Sequence, residues 1–206
     1  GVLQARLDAL PPDERTLLQR ASVIGRIFWD IPLSRLSAEG EPPLENIHET
    51  LAALRRRELI RWHEQSVFDG ADEYIFRHNI LHDVTYESVL RRLRRVYHEQ
   101  VADWLVERSG DRLNEYTGMI ARHYEQAGQP AKAIAYLNKA AQVALNISAY
   151  YEAIEWARKA LDLLQGEPDT VETCILDAQL KAHLGQAYRW LSDFVSAREY
   201  YEESLK

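Results

Sequence analysis

The sequence predicts a mainly α protein in two parts: a compact helical unit with a small β-ribbon over residues 1–110, and an all-helical array over residues 111–206. Three observations predict it. Strand-like alternation is confined to two short stretches, Leu59–Trp62 and Tyr74–Phe76. Elsewhere apolar residues recur at intervals of three and four, the spacing of one helical face. In the second half Ile120, Ala140 and Leu184 each precede an alanine, Ala133, Ala153 and Ala197, by 13 residues, so one pattern returns at a fixed offset.

With 206 residues and 46% apolar content, the chain can bury a substantial core in one or two domains. No apolar run approaches the roughly 20 residues that span a bilayer, and the first residues lack a charged-then-apolar leader, so the expected compartment is the cytoplasm. Cys174 is the single cysteine; it excludes an internal disulfide or a multi-cysteine zinc site and reads as a small core hydrophobe. Residues 1–112 carry 16 arginines against 19 acidic residues, a net of −3, and the whole chain is at −7. Neither half has the basic footprint of a nucleic-acid binder.

In the first part, Leu3, Leu7 and Leu10 follow helical spacing up to Pro11-Pro12. A second helix then opens on Pro12, Asp13 and Glu14, where a missing N–H costs little and acidic groups meet the helix dipole. Its stripe is Leu17, Leu18, Ala21 and Ile24, and Gly25 ends it. Around Phe28–Pro32 the chain is expected to turn into a short helix with Leu33 and Leu36, closed by a loop at Glu39-Gly40-Glu41-Pro42-Pro43. A helix from Leu44 to Glu58 presents Leu44, Ile47, Leu51 and Leu54 on one face. Leu59–Trp62 and Tyr74–Phe76 follow as strands, joined by a polar connection with Asp69-Gly70 as turn signal. Three helices and a two-stranded ribbon describe a winged helix.

A winged helix raises duplex DNA binding, with Arg55, Arg56 and Arg57 as contacts and a DNA-binding transcriptional regulator as the alternative function. These arginines lie at the helix end, where cations offset the dipole, whereas recognition helices usually read bases from their N-terminal part, here occupied by Glu45 and Glu49. Nucleic acid is therefore not the expected partner. After the ribbon the period switches from two to helical at His78-Asn79, and Ile80, Leu81, Val84 and Val89 continue at helical spacing. Arg91, Arg92, Arg94 and Arg95 open the next helix, whose core face is Leu93, Val96, Tyr97, Val101, Trp104 and Leu105. Four arginines at a helix start oppose its dipole; they are expected either to meet an acidic partner surface or phosphates, or to stand as a solvated cluster.

The second part follows the tetratricopeptide pattern, in which small residues allow close helix crossing and large ones fill the gaps. Leu184-Gly185, Tyr188, Ala197 and Tyr201 carry it, as do Ile120-Ala121, Tyr124, Ala133 and Leu137, and Ala140-Ala141, Ala144, Ala153 and Ala157. The spacings of 20 residues from Ala133 to Ala153 and 44 from Ala153 to Ala197 depart from the usual period of about 34, so the helix from about Ala131 to Asn146 closes one hairpin and opens the next. Gly166-Glu167-Pro168 lengthens a later connection, and Trp156 and Trp190 read as packing residues. Such an array binds a protein or peptide on its surface. The last apolar face has no polar capping helix before Lys206, which predicts a piece of a longer array.

No phosphate-binding loop, dinucleotide fingerprint, H-E-x-x-H or G-x-S-x-G occurs, so no catalytic residue is expected. Of seven histidines only His78 and His82 stand at i, i+4, and two ligands leave a zinc site incomplete without Asp83 or a distant group; no metal is expected.

Taken together, LQARLDALPPDERTLLQRASVIGRIF, LRRRELI, YIFRHNILHDVTYESV and RHYEQAGQPAKAIAYLNKA resemble the segment after the ATPase core in bacterial STAND-type signalling ATPases, AAA-like regulators often joined to adenylate or guanylate cyclase or to LuxR-type DNA-binding domains. The resemblance covers nearly the whole chain. It is most specific at Phe76-Arg77-His78, Asp83-Val84, Tyr86-Glu87 and His123-Tyr124. It implies a non-catalytic regulatory fragment whose winged helix latches against an adjacent ATPase domain and whose repeats sense an inducer or partner. ATP or ADP would then be bound by the parent protein and not by this segment. Where relatives carry a Met-His-Asp motif at the end of the wing, the histidine contacts the nucleotide's phosphate in the off state. His78 aligns with that histidine, with Arg77 and Asn79 in place of the flanking methionine and aspartate.

Overall fold

The computed structural model describes residues 2–40 and 43–205, the side chains of residues 2–4 excepted. The expected roles of Leu3 in the first stripe, Glu41 and Pro42 in the loop, and Lys206 at the end of the array lie outside the described residues. The chain is mainly helical with one small three-stranded antiparallel sheet, and it divides into two compact units, Gly1–Trp104 and Leu105–Lys206. Among the described residues, no helix is long and apolar enough to cross a membrane.

In the first unit, α1 (Val2–Asp8) meets α2 (Pro12–Ile24) through the Arg15 guanidinium, which donates to the Asp8 carbonyl. α2 has Pro12 in its first turn and buries Leu17, Leu18, Ala21, Val23 and Ile24. Gly25 ends it with φ 149°, and its N–H donates to Ala21. Ile27–Trp29 then forms β1, where a purely helical segment was expected, before α3 (Asp30–Arg35). β1 pairs with residues more than 40 positions later, so its strand state comes from a partner that the local pattern does not contain.

The next helix, α4, runs Ile47–Arg56 and so starts later than Leu44. Asn46 is left-handed, φ 49° and ψ 43°, and keeps the preceding residues out of the helix. Leu51 and Leu54 form its buried face. β2 (Ile60–His63) and β3 (Glu73–Phe76) follow, with β3 in the centre of the sheet. The expected two-stranded ribbon is thus the larger part of a three-stranded sheet. Next come α5 (Asn79–Ser88) and α6 (Arg91–Ser109). On α5 the buried stripe is Leu81 and Thr85, continued by Val89, while Ile80 is 65% exposed and does not belong to it.

One row across the sheet is held by side chains as well as backbone. Trp29 and His63 both sit opposite Glu73, whose carboxylate is buried. Trp29 Nε1 donates to Glu73 Oε2 at 3.0 Å, the Val67 amide donates to the same oxygen at 3.3 Å, and His63 Nδ1 lies 3.0 Å from Oε1. Trp29 stacks on Trp104 at 5.7 Å between centroids, and Phe68 meets both rings edge-on. Glu73 therefore fastens all three strands and the intervening loop to one aromatic cluster.

The second unit begins within α6, passes a 3-10 turn at Gly110–Arg112, and continues as α7 (Leu113–Ala127), α8 (Pro130–Asn146), α9 (Tyr150–Leu164), α10 (Val171–Trp190) and α11 (Phe194–Ser204). α8 packs on both α7 and α9, which places it in two hairpins, and α10 packs on α9 and α11. The three tight turns share one geometry. Gly128, Ser148 and Ser192 are left-handed, with φ of 74°, 62° and 62°. The next residue in each turn donates back five positions: Gln129 to Tyr124 at 2.9 Å, Ala149 to Ala144 at 2.8 Å and Asp193 to Tyr188 at 3.0 Å. Each turn lies five residues before Ala133, Ala153 or Ala197, all buried, so the spacings read from the alanines are those of the turns.

Close helix approach depends on small residues. A Cβ on Gly185 would lie 2.9 Å from the Tyr201 ring, and one on Gly118 would lie 3.0 Å from Trp156. Trp156 packs against the core as expected, whereas Trp190 is 56% exposed and stacks on Tyr150. Cys174 is exposed and not a core residue, since it stands on an outward part of α10.

Two expectations follow. Replacing Glu73 by Ala leaves the Trp29 indole and the Val67 amide without their acceptor, and destabilises the first unit by about 3 kcal/mol in urea unfolding followed by tryptophan fluorescence. In the second unit, burial pushes the His183 imidazole below its usual value. Its Nε2 lies 3.0 Å from Gln142 Oε1 and its Nδ1 is buried without a partner. Above the unfolded-state value of about 6.5 both states are neutral. As pH falls below it the unfolded state takes the proton first, and stability is lost. Lowering the pH from 7.5 to 5.5 should therefore reduce the thermal midpoint of the wild type more than that of His183→Gln.

Candidate functional site

The junction between β3 and α5 is set by pairing on one side and by helix geometry on the other. Phe76 donates its amide to the Arg26 carbonyl and Arg77 donates to Leu59, so the strand is held on both edges to its last residue. His78 then caps α5 in an extended conformation, φ −134° and ψ 136°, accepting at its carbonyl from the His82 amide without a side-chain cap. Its imidazole is exposed and has no partner among the described residues. Arg77 beside it pairs with Glu58 at 3.0 Å. His78 thus offers its ring outward from a backbone anchored on each side.

His82 does not join it. Its Nε2 is 3.0 Å from the Ser22 carbonyl, its Nδ1 is 2.9 Å from Asp83 Oδ1, and its ring meets Phe76 edge-on. Both ring nitrogens of His82 are thus engaged within the first unit.

The two arginine groups are each divided. At the end of α4, Arg57 pairs with Glu14 at 2.8 Å and Arg55 lies over the Trp62 ring at 5.9 Å; only Arg56 has no partner among the described residues. At the start of α6, Arg94 turns back to α5. Its Nε donates to the Val89 carbonyl at 2.8 Å, its Nη2 donates to the Glu87 carbonyl and pairs with the Glu87 carboxylate, and its guanidinium lies 4.6 Å over the Tyr86 ring. Arg91, Arg92 and Arg95 are exposed and have no partner among the described residues.

Sequence reading missed a second group. Asp30, His48 and Asp72 come from α3, α4 and the loop before β3, and their ligand-type atoms lie within 4.8 Å of one another. One histidine and two carboxylates are a mixed donor set that suits a divalent transition ion. Both carboxylates also serve the fold: the Asp72 amide donates to Asp30 Oδ1 at 2.9 Å and Trp62 Nε1 donates to Asp72 Oδ1 at 3.4 Å. Nearby, burial raises the Tyr74 phenol's pKa, Asp72 and Asp30 add to the rise, and Arg55 opposes it. No sequence spacing links these residues, since they meet only through the sheet.

In the second unit a groove of about 380 Å³ lies between α7, α8 and α9, with Met119, Ile147 and Trp156 as its large apolar lining and Glu115, Arg122 and Glu152 among its charged groups. Met119 is 41% exposed and Ile147 69%, so apolar surface is available there.

Compared with known proteins, the chain is 29% identical over 176 residues to an uncharacterized protein of Rhizobium meliloti (strain 1021). The match covers 84% of this chain and 16% of that protein, so the chain spans a small part of the relative's length. No family model matches the chain. No solved structure matches it.

Proposed function

We propose that this chain is a non-catalytic regulatory segment in which a winged-helix unit is followed by tetratricopeptide-like hairpins that bind a protein or peptide partner. The observation that carries the reading is the recurrence of one turn geometry at Gly128, Ser148 and Ser192, each five residues before a buried alanine. Repetition of a helix pair with small residues at the crossings is how an open interaction surface is built from units that cannot bury their faces alone. The helices and three-stranded sheet of the first unit support the winged-helix half. The match to a small part of a much longer protein agrees with a segment that works beside other domains.

The first unit would rest against a nucleotide-binding core of a STAND-type signalling ATPase, with His78 reaching the nucleotide's phosphate. Its exposed, unpartnered ring on an anchored backbone supports that role. DNA binding gains no support, because Arg55 and Arg57 are engaged by Trp62 and Glu14.

Both halves are testable in the full-length protein that this reading requires. His78→Ala should lower ADP retention about tenfold, the worth of one charge-assisted hydrogen bond; unchanged retention would remove the sensor role. A photo-reactive residue at position 147, in cells of the natural host, should cross-link one discrete partner segment through the groove. Diffuse or absent cross-linking would reject the groove as the partner surface.

A further inference from the structure

Asp30 opens α3 directly after β1, Asp72 directly precedes β3, and His48 stands in the first turn of α4. The pairing of β1 with β3 carries the two aspartates to the same end of the sheet. There the Asp30 amide donates to the Asp72 carbonyl at 3.1 Å, and the Asp72 amide donates to Asp30 Oδ1 at 2.9 Å. Two carboxylates are therefore fixed side by side by the fold. A third element then adds an imidazole, and the ligand-type atoms of all three side chains lie within 4.8 Å of one another. Asp30 is half-buried, His48 and Asp72 are exposed, so an ion reaches the group from solvent.

The donor set selects the ligand. Asp30 Oδ1 is held by the Asp72 amide, and Asp72 Oδ1 by the Trp62 indole, which donates at 3.4 Å. Each carboxylate is thus oriented through one oxygen and keeps the other for a cation, the way ligating carboxylates are steadied by donors behind them. No lysine or arginine forms an ion pair with either one among the described residues. Arg55 is in the neighbourhood, but its guanidinium lies over the Trp62 ring at 5.9 Å. The His48 ring has no partner among the described residues either. Carboxylates alone would suit magnesium or calcium, whereas an imidazole beside them favours a transition ion. Donors about 2.1 Å from zinc stand about 3.4 Å apart, so separations within 4.8 Å close on the ion by side-chain movements of about an ångström.

We propose that Asp30, His48 and Asp72 form a binding site for a divalent transition ion of the zinc class, with one oxygen from each carboxylate and one ring nitrogen as protein ligands. Three protein ligands leave a further position for water. Bound there, the ion links α3, α4 and the start of β3, segments far apart in the chain, and so stabilises the first unit. The site is separate from His78 and does not depend on the function proposed above.

The test uses the 206-residue chain with zinc chloride as probe, in a buffer that does not bind the metal, followed by titration calorimetry and by the thermal midpoint. Zinc should bind the wild type and raise its midpoint. His48→Ala, at an exposed position without a partner, should keep the metal-free midpoint of the wild type and weaken zinc binding roughly tenfold or more. Asp72→Asn, which keeps an acceptor for the Trp62 indole, should weaken it likewise. Magnesium at the same concentration should have no such effect. Absence of zinc binding to the wild type overturns the site. So does binding that survives His48→Ala, which marks zinc held by other histidines or by Cys174, and so does an equal effect of magnesium, which marks an acidic patch alone.

Discussion

A buried carboxylate must be surrounded by donors, and in the first unit that requirement organises the sheet. β1 has three residues and β2 and β3 four each, at the short end of the usual range, so backbone pairing contributes few hydrogen bonds. Glu73 supplies the missing constraint. It stands on the central strand with Trp29 on one side and His63 on the other, and a slip of either strand by one residue would turn the partner to the opposite face. The same oxygen that accepts from Trp29 accepts from Val67, so the loop that carries Phe68 closes over the aromatic cluster only when the strands are in place. Because β3 leads directly into His78, the position of that exposed ring is a consequence of a carboxylate on the same strand.

The second unit is organised by close apolar packing. Its core is mostly alanine and leucine, with Ile134 and Ile154, and its order comes from how closely helices approach and how the chain reverses. Three reversals use one conformation, but only Gly128 is a glycine; Ser148 and Ser192 adopt a left-handed φ at about 1 kcal/mol each. The bond from the following amide to a carbonyl five residues back offsets that strain, and the buried alanine five residues after each left-handed position lets the next helix return tightly. Where this device is absent, between α9 and α10, the chain needs a longer passage, and the Thr170 capping box starts α10 instead.

Legibility of the fold in the sequence followed the range of the interactions involved. The array helices and the strands β2 and β3 were readable because their signals lie within a few residues: helical periodicity, the 13-residue offset and the Asp69-Gly70 turn. β1 was not, since it exists through pairing with β3. The delayed start of α4 was hidden by one left-handed asparagine, and the exposure of Ile80 and Cys174 depends on which helical face the neighbours cover. For the candidate site, His78 was visible as a change of period. The Asp30, His48 and Asp72 group had no sequence signal. Arg20 did have one that went unread: it stands three residues after Leu17 and four before Ile24, on the face that had to be buried.

The two arginine clusters show why residue type without placement misleads. At the end of α4 the cations offset the negative end of the helix dipole, and a glutamate of α2 and a tryptophan face engage Arg57 and Arg55. At the start of α6 the same residue type meets the positive end of its helix. Arg94 turns back to the end of α5, whereas Arg91, Arg92 and Arg95 are exposed and have no partner among the described residues. The fold therefore engages two of the three arginines at the end of α4 but only one of the four at the start of α6, although both clusters read alike in the sequence.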